Sequence, residues 1–372
     1  MRFLIRRFLS RVAEDRLLFA LLIALPPLMW WSPLAPAAWP SLVDWKTIGA
    51  LAGLLVLSRG LEESGYLALS GRRILARIHG ERLLACVLVL FSALLAAVVT
   101  NDVALFIVVP LTLGLRAVAE LPVGRLIIFE ALAVNAGSTA SPVGNPQNLY
   151  LWQSSPLDFI DFTLAMLPLG MALTLLVLAM VPLAFPAARI NVRPASVAPA
   201  LDTRLLRVSL VLYPPFLLAA DLGFAVAAAL AVVLLYAHLR PRLLGGVDWF
   251  LLGVFVLMFI DLGLLASVPA VAARAATLAD LPGGIYGAGM VLSQLVSNVP
   301  AAIFLASFTD DVRALAWGVS VGGFGLAIGS LANLIALRLA REPGLWKAFH
   351  LWSIPALLIA TALGWVLLPS TG

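Results

Sequence analysis

Charged residues are scarce in this sequence. Only 12% of its 372 residues are Asp, Glu, Lys or Arg, while 62% are hydrophobic. Soluble domains carry about 25% charged residues, so a soluble globule is excluded and an integral membrane protein is expected. Cysteine is nearly absent. Cys86 stands alone, which excludes a disulfide within the chain and a cysteine metal cluster. There is no Gly-x4-Gly-Lys-Ser loop, so ATP-driven transport would need a separate subunit. No metal-ligand cluster and no Ser-His-Asp set is present, which argues against an enzyme and calls for no cofactor. The pI of about 9.9 would suit nucleic acid, but Lys and Arg fall in short clusters between apolar runs. That is the positive-inside pattern of a bilayer protein, and no nucleic-acid partner is expected.

Long apolar runs are what the chain does have. They favour helical spans, since a barrel shows weak alternation in short segments. The basic opening, residues 1–16, reads as a cytoplasmic amphipathic start. The run after it could be a signal peptide cut at "APAA". It reads better as a retained first helix, because it exceeds signal length and ends in aromatics suited to an interface. Apolar stretches then follow at Leu17–Ser32, Trp45–Leu67, Leu83–Leu115, Leu126–Trp152, Ile160–Phe185, Val208–Ala220, Phe224–His238, Trp249–Ser267, Gly284–Phe308, Trp317–Leu339 and Trp352–Leu368.

Two stretches do not read as simple crossings. If Leu83–Leu115 crossed once, Arg116 and Arg125 would fall outside and every later basic loop would be inverted. At about 1.5 Å per residue it is too long for one upright helix and short for two crossings. Residues 83–115 are therefore expected to enter from the cytoplasm and return, and residues 284–308 to do the same from outside. The expected architecture is all-α and polytopic, with about nine full spans and two re-entrant hairpins. It has the N-terminus, Arg77 and Arg116 in the cytoplasm and Arg274 outside, in a bacterial inner membrane.

The hairpins explain a run of polar residues in an apolar setting, "VVTNDVAL". Thr100, Asn101 and Asp102 then sit at a tip, where irregular backbone must be buried in protein or line a wet cavity. Asn and Asp cap helix starts, and a helix start favours negative charge. The second tip is "SNVPA", Ser297 to Ala301. A glycine-rich apolar segment follows each hairpin. Laid together, Gly137 meets Gly322, Gly144 meets Gly329, Asn145 meets Ser330 and Asn148 meets Asn333. A Val-Asp-Trp start precedes each hairpin, at Val43–Trp45 and Val247–Trp249. The order occurs twice, about five spans apart, so the copies are expected to be inverted. The first repeat is residues 17–185, with its broken helix at 126–152. A basic linker and connecting span fill 186–222. The second repeat is 223–372, with its broken helix at 317–339. Inverted repeats place a substrate site near the midplane, built from broken helices.

Three acids fall within or near spans: Asp102, Glu130 and Asp261. Intramembrane ionisable groups point to function, and all three are candidates for carrying a coupling proton or ion. For Glu130 a solvated helix-start role is an equal reading, and for Asp261 a structural one. Glu62 and Glu63 are expected to pair with Arg59. His79, His238 and His350 are expected at the surface.

"VVTNDVALFIVVPLTL", "NAGSTASPVGNPQNLYLW", "SQLVSNVPAAIFL" and "GGFGLAIGSLANLIALRLAR" resemble the ion transporter superfamily. Within it the chain is most similar to the arsenical-pump and citrate-permease-type anion transporters, over about Val43 to the C-terminus. The resemblance implies a homodimer in which a transport domain with both hairpins moves as an elevator against a scaffold. It implies that Thr100, Asn101, Ser297 and Asn298 at the tips touch substrate. With them come Gly137, Ser138, Thr139, Asn145, Asn148, Gly322, Gly323, Gly325, Ser330 and Asn333 from the broken helices. Sodium-coupled dicarboxylate carriers of the superfamily have Ser-Asn-Thr at both tips. Here the third position is Asp102 in one and Val299 in the other, which argues against a two-sodium dicarboxylate mechanism. A sodium ion near Asn101, Asp102 and Asn145 remains an option beside a proton. The expected cargo is a small inorganic or organic anion or a neutral oxyacid, held by hydroxyls, amides and helix starts. A sodium/proton antiporter with Asp102 as exchange site is the alternative.

Overall fold

The computed structural model describes residues 16–66, 69, 78, 80–115, 120–190, 200–277, 283–340, 342 and 344–368. The opening segment before Arg16, together with Arg77, His79, Arg116, Arg193, Asp280 and Arg341, lies outside the described residues. Helices carry nearly all of the described structure. They are α1 (Arg16–Trp31), α2 (Trp45–Glu63), α3 (Glu81–Val98), α4 (Asn101–Leu115), α5 (Val123–Ser138), α6 (Pro146–Gln153), α7 (Phe159–Ala184) and α8 (Thr203–Asp221). Then come α9 (Ala225–Leu239), α10 (Trp249–Ser267), α11 (Pro269–Ala276), α12 (Gly284–Val296), α13 (Asn298–Leu305), α14 (Val312–Val321), α15 (Leu331–Ala340) and α16 (Leu345–Leu367).

The few acids are placed by helix chemistry. Asp44, Asp158, Asp202, Asp248 and Asp311 cap α2, α7, α8, α10 and α14 by accepting backbone N–H groups of the first turn. The twin Val-Asp-Trp motifs act alike: Trp45 Nε1 donates to Pro40 O at 3.0 Å and Trp249 Nε1 to Leu244 O at 2.8 Å.

Among the described residues α3, α7, α8, α10 and α16 are each long and apolar enough to cross a membrane, and the 36–42 turn with α2 forms a bent sixth. Large side chains such as Trp30 (87%) and Val366 (79%) are exposed, as a lipid-facing surface requires. The chain is thus an all-helical polytopic membrane protein. α3, expected as one arm of a hairpin, is 18 residues long and is by itself long and apolar enough to cross a membrane.

Packing divides the helices into two sets. α1, α2, α8, α9 and α10 pack on one another, as do α3–α7 with α12–α16. Contacts in the second set occur in matched pairs. α3 and α4 pack together and on α5; α12 and α13 pack together and on α14. α15 lies on α4 and α5, and α6 lies on α13 and α14. The sets meet where α10 touches α13 and α2 touches α6.

One end of the molecule gathers basic residues. Gly80 bridges to Arg189, Arg82 Nε donates to Phe185 O at 3.0 Å, and Arg125 donates to Ala184 O. Arg59 is paired with Glu62 at 2.8 Å and Glu63 at 3.0 Å, as expected, and lies against Gly246. α2 therefore ends where α10 begins, so the two Val-Asp-Trp helices run in opposite directions.

Candidate functional site

The site is built at four interruptions in helices. Tip one is Val99–Thr100, between α3 and α4, with Val99 extended. Tip two is Ser297, between α12 and α13. Its φ of 75° makes it the one non-glycine residue with positive φ among the described residues. Backbone held this way costs about 1–3 kcal/mol and persists where surrounding structure fixes it, often at ligand sites. The other two interruptions are the unwound stretches 139–145 and 322–330, between α5 and α6 and between α14 and α15. Tip and stretch are tied: Asn101 N–H donates to Gly144 O at 2.8 Å, and Ser141 Oγ to Ala97 O at 2.7 Å.

Two adjoining cavities open here. The inner one, about 230 Å³, is lined by Asn101, Asp102, Ser297, Asn298 and Ser330, with Val254, Phe255 and Met258 of α10 opposite. The outer one, about 790 Å³, shares Asp102, Leu251 and Leu334 with it and extends to Arg59, Asp248 and Arg338. The cavity thus lies between the two helix sets and opens toward the basic end. Among the described residues no Lys or Arg lines the inner part. The arginines at the outer mouth are an addition that no motif signals.

The candidate residues divide by position. Asn101, Asp102, Ser297, Asn298 and Ser330 border the inner cavity. Thr100, Gly137, Ser138, Thr139, Asn145, Asn148, Gly322, Gly323, Gly325 and Asn333 form the layer behind it. In that layer Asn145 caps α6 through Asn148 N–H at 2.8 Å and donates to Ser138 O at 3.0 Å. Asn148 Nδ2 donates to Thr139 O at 3.1 Å and Ser141 O at 3.2 Å, and Asn333 Nδ2 to Gly323 O at 2.9 Å. Both are fully buried. Unwound carbonyls at membrane depth must find donors within the protein, and these amides supply them.

Glycine permits the close approach of α3 to α5 and of α12 to the end of α14. A Cβ on Gly137 would lie 2.0 Å from Ala93 O, and one on Gly322 2.4 Å from Ser293 Cβ. Gly137→Ala is expected to force α3 off α5 and to cost about 3 kcal/mol, read as a lowered melting temperature of the purified protein.

Two further amides, Gln294 and Asn135, brace the second unwound stretch. Gln294 Nε2 donates to Gly322 O at 2.6 Å and Phe324 O at 3.2 Å, while its Oε1 accepts Leu326 N–H at 2.8 Å. Asn135 Nδ2 donates to Asn333 Oδ1 at 2.7 Å and Gly323 O at 3.2 Å, and its Oδ1 accepts from Ser330 Oγ at 3.0 Å. The available signal was an amide inside an apolar helix. His350, expected at the surface, is half-buried and accepts Ala327 N–H at Nε2, 3.2 Å away.

Of the three acids only Asp102 borders the cavity. Glu130 is fully buried in α5; one carboxyl oxygen accepts from Thr112 Oγ1, and the other has no partner among the described residues. Asp261, 2% exposed in α10, has no partner for either oxygen among the described residues.

Comparison with known proteins gives these residues a context. The citrate transporter family profile matches residues 15–322. The inner membrane protein YbiR of Escherichia coli is 44% identical over 362 residues, covering 97% of each chain. An uncharacterised transporter of Methanocaldococcus jannaschii is 28% identical over 308 residues, covering 80% of this chain and 82% of its own. The silicon efflux transporter of Oryza sativa subsp. japonica is 34% identical over 139 residues, covering 37% of this chain and 29% of its own.

Proposed function

Because the chain belongs to the citrate transporter family, we propose that its membrane-embedded cavity binds and carries a small anion or neutral oxyacid by secondary active transport, coupled to a proton or sodium ion. Transport of a small solute, not catalysis, is the activity common to the family and to relatives named as transporters. One observation carries the site assignment. Both tips and the start of α15 converge on a single cavity between two helix sets, with Asp102 the one ionisable group lining its inner part.

The inner cavity favours a neutral or weakly charged cargo. Its donors are amides, hydroxyls and helix starts, its remaining wall is apolar, and Asp102 would repel a multiply charged anion. The name of the plant relative, a silicon efflux transporter, fits a hydroxylated oxyacid. The outer mouth agrees with this: Arg59 and Arg338 share it with Glu62 and Asp248, and Arg59 is paired with Glu62 and Glu63, so it carries no excess of positive charge.

In this reading residues 17–185 and 223–372 form inverted repeats, with about nine spans and two re-entrant hairpins. The matched packing and the opposed α2 and α10 support it. The set of α3–α7 and α12–α16 is the moving domain of an elevator, and the α1, α2, α8–α10 set is the scaffold of a homodimer. The basic end faces the cytoplasm of an inner-membrane protein with a cytoplasmic N-terminus, so the cavity is open inward. Asp102 is the coupling residue; Glu130 and Asp261 are reserve proton carriers away from the cavity.

The test is a thermal-shift and binding screen of the purified protein against silicate, arsenite, mono- and dicarboxylates and citrate. Stabilisation by oxyacids or monocarboxylates, lost in Asn298→Ala, is the expected result. Stabilisation by citrate alone would overturn the neutral-cargo reading.

A further inference from the structure

A third cavity shares no lining residue with the two between the helix sets. It measures about 230 Å³, sits where α8 begins and α9 ends, and is lined by Arg204, Leu205, Val208, Tyr236, Leu239 and Arg240. Its floor is fixed. Tyr236 is fully buried, its hydroxyl pairs with Ser209 Oγ at 2.6 Å, and a Cβ on Gly60 of α2 would lie 2.6 Å from that hydroxyl. Asp202 fastens the rim. Its N–H donates to Ser64 O at 2.9 Å, its Oδ1 caps α8 through Leu205 N–H at 2.9 Å, and its Oδ2 accepts from Arg240. Asp202 is thereby fully used, while Arg204 has no hydrogen bond or ion pair among the described residues. The two helix ends are lopsided in charge: residues 202–208 and 238–243 hold Arg204, Arg207, Arg240 and Arg242 against Asp202 as their acid.

Away from the arginines the same two helices turn apolar and exposed, with Val211 at 71% and Leu234 at 68%. Each lies six or seven residues along its helix from Arg240 or Arg204, a step of about 10 Å. With Val211 and Leu234 among acyl chains, the cavity therefore stands at the level of the headgroups. We propose that this cavity binds the phosphodiester headgroup of an anionic phospholipid, whose chains run along the exposed faces of α8 and α9. Guanidinium groups match phosphate oxygens in pairs, and basic pockets between membrane helices on the cytoplasmic side hold such headgroups. The apolar part of the lining, Leu205, Val208 and Leu239, suits the glycerol end of a lipid and not a hydrated free anion. A zwitterionic lipid would bring an ammonium group to an end already rich in arginine. α8 and α9 both pack on α2, so the lipid fastens this helix set without touching the solute cavity. The proposal needs only that the protein lies in a bilayer and does not depend on the transport reading.

The test is thermal melting of the full-length protein, delipidated in detergent and titrated with phosphatidylglycerol, phosphatidylcholine or soluble glycerol phosphate. Native mass spectrometry of the same samples counts bound lipid. Phosphatidylglycerol should raise the melting temperature and remain bound, while the other two should do neither at the same concentration. Arg204→Gln loses no contact within the protein, so it should melt with the lipid-free parent and bind phosphatidylglycerol about fivefold more weakly. Arg204→Glu, which reverses the charge, should weaken it further. Arg242→Gln removes the same charge at the same end but outside the lining, and should bind like the parent. Should Arg204→Gln not fold, Val208→Glu, which sets a carboxylate in the cavity, should abolish the lipid effect. Equal stabilisation by phosphatidylcholine would overturn the headgroup assignment. Equal stabilisation by glycerol phosphate would make the cavity a free-phosphate site and overturn the lipid. Equal losses in Arg204→Gln and Arg242→Gln would reduce the effect to diffuse surface charge and overturn the cavity.

Discussion

Asp102→Asn is expected to leave the protein folded and able to exchange solute, yet unable to concentrate it. The residue lies in the first turn of α4, 8% exposed, where it borders both cavities. Its N–H is already bonded to Asn101 Oδ1 at 2.9 Å, so the tip does not depend on its side chain for capping. Two influences oppose each other at this carboxyl. The start of α4 favours a negative charge, while burial at the inner cavity, which no Lys or Arg among the described residues lines, penalises one. A group so placed can gain and lose a cation as the cavity changes exposure. Asparagine keeps its size and polarity but removes the exchangeable charge. In proteoliposomes, counterflow should persist. Accumulation driven by a pH gradient of about one unit, worth about tenfold per proton, should vanish, and sodium-driven accumulation likewise. If Asp102→Asn still concentrates solute, coupling belongs to Glu130 or Asp261.

The legible part of this protein was its periodic and repeated part. Apolar runs gave the helices, the duplicated Val-Asp-Trp starts proved to be twin caps, and the two polar tips do meet at one cavity. Residue type could not distinguish an amide that faces the cavity from one that braces the backbone behind it. Asn298 and Asn333 are both asparagines at matched landmarks, but only Asn298 lines the cavity. That difference depends on where an unwound carbonyl points, which is set by contacts between distant segments. Asn135 and Gln294 were hidden for the same reason, their acceptors lying 188 and 28 residues away. Span number was the weakest reading. Irregular stretches between helices leave short pieces such as α6 and α15, at 8 and 10 residues, which length alone does not distinguish from interfacial turns.

That distinction makes Asn148→Ala a folding variant, where sequence motif alone would make it a binding variant. Its amide nitrogen is the donor for Thr139 O at 3.1 Å and Ser141 O at 3.2 Å, in a stretch with no regular helix to satisfy them. The carbonyls of Ser138 and Ser141 keep donors, Asn145 Nδ2 at 3.0 Å and Gly144 N–H at 3.4 Å, so Thr139 O is the acceptor left orphaned. At about 1–3 kcal/mol for a buried group left unsatisfied, the expected loss is on the order of 2 kcal/mol. That is a noticeable share of the roughly 5–15 kcal/mol that holds a typical domain folded. Water cannot replace the donor at full burial within a membrane. Asn148→Ala should therefore melt several degrees below the parent. Asn298→Ala, whose side chain faces the cavity with a single long contact of 3.5 Å from Ser297 Oγ, should melt within a few degrees of the parent while losing solute binding. Measuring both melts side by side decides the matter. If Asn148→Ala melts with the parent and loses binding instead, the amide belongs to the solute and the loop is held by other groups.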